Sequence, residues 1–231
     1  MDVAKALSST RRRLRTRGTT RKRLAGGGAV RLNGDAATAL LQPIYNDLPK
    51  TQAAGHHNLT YGEIEWPTLK LFLDYVNRQQ WSAAPGQRGK FYDLGCGRAR
   101  SVLYMAIAGP FDAAVGVEVL PERVRLAQQA LAKLKESIPT AGAKVRFYEA
   151  SFLNPAFKYR DARAVFVSNL CLDDQTQNAL FSKLASEMPK GGLVFCSRLP
   201  SQGMEAFEVI GNEKVPMTWT PTSELTVLRH L

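Results

Sequence analysis

This chain is poor in the residues that build a covalent or metallic skeleton. It has three cysteines in 231 residues, Cys96, Cys171 and Cys196. They are widely spaced and odd in number, so neither a disulfide framework nor a zinc site is suggested. A reducing compartment fits, and no metal is expected. No apolar run approaches the roughly 18 residues that a membrane helix requires, so no membrane partner is expected. No secretory apolar core follows the first positive charges, which argues against export. No internal repeat is evident. Acids are nearly missing from the N-terminus: residues 1–31 hold ten Lys/Arg and one acid, Asp2. That segment carries +9 of the total +11, and the other 200 residues, with 21 bases and 19 acids, are nearly neutral.

A segment this basic, with Gly26-Gly27-Gly28 behind it, has too little apolar surface to offset the entropy of ordering. Residues 1–30 are therefore expected to be a disordered tail when free. Three uses are open to it. Its charges can bind a polyanion, because each neutralised phosphate releases a counterion. It can target the nucleus. Being acid-poor and Ser/Thr-containing, it can also be a mitochondrial transit segment.

What is present is a strand, a glycine turn, a helix and a second strand that ends in an acid. Phe91-Tyr92-Asp93-Leu94-Gly95-Cys96-Gly97 is followed about 20 residues on by Gly116-Val117-Glu118. A carboxylate at the second strand end can accept from both hydroxyls of a ribose. The third glycine of a dinucleotide turn is absent: the run is Gly95-Cys96-Gly97-Arg98-Ala99-Arg100. Asp93-Leu94-Gly95-Cys96-Gly97 resembles motif I of class I S-adenosylmethionine-dependent methyltransferases. In that family the turn approaches the methionine part of the cofactor and the second acid, here Glu118, holds the ribose.

Strand and helix signals alternate from residue 91 onward. Strands are expected at Phe91–Leu94, Ala113–Val119, Lys144–Glu149, Ala164–Ser168, Leu193–Ser197, Phe207–Ile210 and Leu225–Leu228. Helices are expected at Trp66–Asn77, Arg98–Ala108, Pro121–Lys135 and Asp173–Met188, with shorter possibilities around Ala37–Ile44. Pro67 suits a first helical turn and Gly109-Pro110 a helix end. The alternation predicts an α/β, doubly wound, Rossmann-like sheet with right-handed crossovers. Two last strands without a helix between them predict an antiparallel C-terminal hairpin. Residues 1–30 are read as tail, 31–85 as an N-terminal helical extension with a cofactor-closing loop, and 86–231 as the core.

Further segments narrow the substrate. They are Ile44-Tyr45-Asn46-Asp47, Leu59-Thr60-Tyr61-Gly62-Glu63, Val165-Phe166-Val167-Ser168-Asn169, Lys190-Gly191-Gly192-Leu193-Val194 and Met217-Thr218-Trp219-Thr220. In this order they resemble the disruptor-of-telomeric-silencing family over about residues 40–231. Those proteins are non-SET histone lysine methyltransferases. The resemblance implies S-adenosyl-L-methionine as cofactor and a lysine in the globular core of histone H3, in nucleosomes, as substrate. It implies nuclear localisation, and a monomer is expected. Tyr61, Gly62 and Glu63 would close over the methionine end, with Tyr61 also near the reaction. Asp93, Gly95 and Gly97 would form the cofactor turn, and Glu118 would take the ribose. Ser151 and Phe152 would meet the adenine. Asn169 would sit beside the methyl-transfer point, and Trp219 would wall the lysine channel. The basic tail would hold DNA phosphates.

Departures from the family pattern are visible. Ala99 replaces a glycine, Arg100 stands where glutamine is common, and Ser151 replaces an acid. Cys96 reads as a small packing residue, and His56-His57 as a solvated loop. Two other functions use the same features: an RNA methyltransferase with a basic RNA-binding tail, and a non-catalytic chromatin-binding module. Ser168-Asn169-Leu170-Cys171 lacks the Pro-Pro-aromatic run of base-amine methyltransferases, and the intact acids and glycines argue against the module.

Overall fold

Apolar strands that alternate with amphipathic helices must be covered on both faces, and that requirement sets the layers here. The computed structural model describes residues 31–51, 62–81 and 84–231. The basic segment 1–30, Tyr61 and His56-His57 lie outside the described residues. Seven strands form one sheet: β1 Lys90–Leu94, β2 Ala113–Glu118, β3 Val145–Glu149, β4 Ala162–Val167, β5 Leu193–Cys196, β6 Phe207–Met217 and β7 Thr220–His230. The order is β3-β2-β1-β4-β5-β7-β6. The first five strands are parallel, and β7 and β6 are antiparallel. Chain order reverses between β1 and β4, so a crevice opens at their C-terminal ends.

Six helices cover the sheet: α1 Gly34–Asp47, α2 Trp66–Asn77, α3 Arg100–Ala108, α4 Pro121–Ser137, the short α5 Ala141–Lys144 and α6 Asp174–Glu187. Helix α2 falls where its apolar spacing and Pro67 placed it. Its Phe72 stacks on Phe195 at 4.1 Å between centroids and meets Phe166 edge-on. Helices α1 to α4 share one core with that face, and Leu180, Phe181 and Leu184 of α6 fill the other. Asp173 caps α6, its carboxylate accepting from the Thr176 amide.

Three elements differ from the sequence expectation. Helix α3 begins at Arg100 rather than Arg98, because Gly97 (φ 53°) and Ala99 (φ 66°) are left-handed and extend the turn. The short α5 was not foreseen. The hairpin strands are 11 residues each. Pairing with β7 carries β6 through Gly211, Asn212, Glu213 and Lys214, a polar run without apolar alternation.

Candidate active site

The glycine turn is bolted to the second strand. The amides of Gly95 and Cys96 donate to the Val117 carbonyl at 2.8 and 3.1 Å. Gly95 has φ 86°, and a Cβ there would meet nothing within 4 Å. Backbone conformation, not crowding, demands the glycine. Ala99 adopts a similar φ with a side chain, a strain of about 1–2 kcal/mol; its carbonyl accepts from Leu103 and so starts α3.

Glu118 is the second anchor. One carboxylate oxygen accepts from the Gly97 amide at 3.0 Å. The other accepts from Val119 and Leu120 at 2.9 and 3.0 Å. The Arg123 guanidinium stands 4.0 Å away. The carboxylate is buried, so it is fixed on the turn before any ligand arrives.

Asp93 ends β1 opposite Gly116. It is buried and accepts a hydrogen bond from the Ser101 hydroxyl. Burial pushes its carboxyl up to about 7; the Ser101 bond opposes that, and the nearby Glu118 charge adds to it. The folded value lies above the unfolded one. Stability from this group is therefore complete below about pH 4 and is lost as pH rises through about 7. We predict that unfolding free energy measured in urea falls across that window, and that Asp93→Asn removes this part of the slope. An unchanged slope in the variant would show that other groups set it.

Cys96 is buried, with its sulfur against Gly116, where a Cβ would lie 2.6 Å from it. Burial, with Asp93 and Glu118 adding, pushes its thiol well above the usual value. It packs as a neutral thiol, not as a nucleophile.

The main feature that sequence reasoning missed is a buried knot around Glu63. Arg98 grips its carboxylate with two nitrogens, at 2.7 and 2.5 Å. Arg100 adds a third contact at 2.6 Å and donates to the Ile64 carbonyl. Arg98 also donates to the carbonyls of Leu48 and Pro49, and Tyr45 donates to the Arg98 carbonyl. Both guanidinium groups lie over the Tyr45 ring, and Arg100 also over Trp66. The knot joins the end of α1, the 62–65 segment and the glycine turn. Glu63 is 35 residues from Arg98, and no local pattern announces the pair.

The hairpin tip reaches the same place. Thr218 donates from its amide to the Glu63 carbonyl, and its hydroxyl accepts from the Glu63 amide. Ile64 bridges to Met217. The Trp219 ring lies against Gly62, where a Cβ would be 2.1 Å from it, and is 43% exposed. The structure thus brings Gly62, Glu63 and Trp219 together. A cavity of about 30 Å³ behind them is lined by Asp93, Gly95, Arg100, Ser101 and Ser168 among others.

Asn169 lies just past β4, fully buried, and its amide is saturated. It donates to the Gln177 side chain and the Arg198 carbonyl, and accepts from the Ser197 and Arg198 amides. Its neighbour Ser168, not Asn169, lines the cavity beside Asp93. Ser151 and Phe152 follow β3, next to Glu118, whose carbonyl accepts from Ala150. The Ser151 hydroxyl accepts from the Leu153 amide, and Phe152 is partly buried against the α6-side core.

These residues fit S-adenosyl-L-methionine. Two buried carboxylates stand at neighbouring strand ends, and a turn without a Cβ at Gly95 leaves open space between them. Among the described residues no His/Cys/Asp/Glu group could hold a metal, and no helix is long and apolar enough to cross a membrane. The sheet order, the glycine turn and its two acids define a class I methyltransferase.

A family described as "Histone methylation protein DOT1" matches residues 41–207. The chain belongs to that family, and it is an S-adenosylmethionine-dependent histone-lysine methyltransferase. Similar solved structures include PH1948 from Pyrococcus horikoshii, at 12% identity and TM-score 0.53, covering 85% of this chain and 96% of that one. The M1A22 tRNA methyltransferase TrmK from B. subtilis has 11% identity and TM-score 0.52, covering 71% and 65%. TrmN from Thermus thermophilus has 15% identity and TM-score 0.53, covering 71% and 48%. At these identities they speak to the fold alone. No curated protein sequence matches the chain.

Proposed function

We propose that this enzyme methylates a lysine in the globular core of histone H3 within nucleosomes, in the nucleus, and that residues 1–30 hold DNA phosphates. The observation that carries the reading is the grip of Glu118 on Gly97, intact in a chain of the histone-methylation family. Glu118 would take the ribose hydroxyls. Asp93, Gly95 and Gly97 would hold the methionine part, with Tyr61, Gly62 and Glu63 closing over it. Ser151 and Phe152 would flank the adenine. The bound cofactor supplies a methyl group on a sulfonium, which leaves readily on displacement.

The protein's own work is alignment and proton removal. A free lysine has a pKa of about 10.4, so the amine must lose a proton before it attacks. An apolar, aromatic entrance lowers that value by disfavouring the charge. Trp219, Leu170 and Leu199 are exposed apolar side chains placed after the C-terminal ends of the strands, and none adds charge. Asn169 would act by fixing the ends of β4 and β5, which set the shape of that entrance.

Labelled S-adenosylmethionine offered with nucleosomes, free histones or total RNA tests the reading. Label on H3 in nucleosomes is expected; label on RNA alone would overturn it. A chain lacking residues 1–30 is expected to bind nucleosomes more weakly. With nine Lys/Arg removed, the slope of log affinity against log salt should fall by up to about eight. An unchanged slope would exclude the segment from DNA contact.

A further inference from the structure

The nearly neutral fold is not evenly charged. Within two positions of the first residues of the five parallel strands stand six bases and two acids. Within two positions of their last residues stand three acids and one base. The acids at the mouth include Asp93 and Glu118, already employed there. The two acids at the opposite edge are spent on local partners. Asp112 accepts from the amides of Gly86 and Arg88, and Asp161 binds the Tyr92 hydroxyl and the Lys90 ammonium.

Lys144, Arg146, Arg160 and Arg163 remain as a positive row. They flank the starts of β3 and β4, which lie three strand spacings apart in the sheet, or about 14 Å. Arg31, the last base of the basic segment, reaches the same edge. It is exposed, and the next residue, Leu32, donates to the Ile107 carbonyl near the end of α3. Burial, then the Arg88 and Arg31 charges, push the Lys144 ammonium down, with Asp112 pulling the other way. The chain therefore enters the fold from its basic segment directly beside the positive row.

We infer that the N-terminal edge of the sheet, continuous with residues 1–31, is a docking face for duplex DNA on the side away from the cofactor mouth. Duplex DNA carries about one negative charge per 1.7 Å of axis, so a 14 Å row meets roughly eight phosphate charges. Strands of five or six residues separate the two edges by about 17–20 Å. A polyanion bound there leaves the lysine entrance open. The choice of DNA among polyanions rests on the histone reading above.

The test uses the full chain and a fluorescent 30-base-pair duplex, titrated at several salt concentrations without cofactor or histone. Lys144→Glu, Arg146→Glu and Arg160→Glu together should weaken binding at least tenfold near 0.1 M salt. They should also reduce the salt slope by about three. Unchanged affinity and slope would overturn the inference, as would tighter binding of single-stranded RNA than of duplex. Cofactor affinity, measured by calorimetry, should be unaltered. If the triple variant does not fold, Arg31→Ser with Arg160→Ser, both exposed, gives a smaller loss of the same kind. Absence of methyl transfer to histone would leave the duplex result standing, so the two readings fail separately.

Discussion

Glu63→Ala is expected to lower the unfolding free energy by about 3–5 kcal/mol, the usual effect of removing one partner from a buried ion pair. Arg98 and Arg100 sit with side chains 5% and 10% exposed, on a carboxylate 8% exposed. Carbonyls of Leu48, Pro49 and Ile64 take some of their donors but no charge. Without the carboxylate, two cations remain in a site that water scarcely enters. Urea unfolding measures the effect, and a loss below about 1 kcal/mol would mean that the knot relaxes into solvent. Glu63→Gln separates charge from shape: it keeps an acceptor for Arg98 and should cost less than Ala while still weakening the pair.

Glu118→Ala is expected to reduce cofactor affinity by about 10²–10⁴-fold. Two hydrogen bonds from ribose hydroxyls to a carboxylate contribute about 1.5–3 kcal/mol each, and each 1.4 kcal/mol is about tenfold. The change also strands the amides of Gly97, Val119 and Leu120, so the turn itself should loosen. Calorimetric titration with S-adenosylmethionine measures the affinity, and thermal unfolding measures the turn. A variant that binds within threefold of the parent would remove Glu118 from the ribose site.

Much of this could be read from the residues, for physical reasons. Helix α2 was legible because Leu69, Leu73 and Val76 repeat at helical spacing behind Pro67. The parallel strands were legible because burial on both faces makes them short apolar runs. Strand β6 was not. It lies at the outer edge of the sheet, so pairing holds it rather than burial, and its Gly211–Lys214 run looks like a loop. The start of α3 was misplaced because the left-handed backbone at Ale99's position belongs to a residue that normally avoids it.

The site divides the same way. Glu118 and the glycine turn are a local pattern of fixed spacing, and the structure joins them directly. The Arg98–Glu63–Arg100 knot links segments 35 residues apart, and nothing local in either segment encodes it. The charge polarity of the sheet cancels in any sum over the sequence and emerges only when the strands are laid in order.

The bonds between Thr218 and Glu63, with the bridge from Met217 to Ile64, have a mechanical consequence. Segment 62–64 is in effect the hem of the β6–β7 hairpin, stitched to its tip. Outward movement of that segment must either tear the stitches or carry the hairpin tip and Trp219 along. Entry of cofactor and entry of lysine are then two swings of one leaf, and a ligand that holds the leaf shut for one partner sets the aperture for the other.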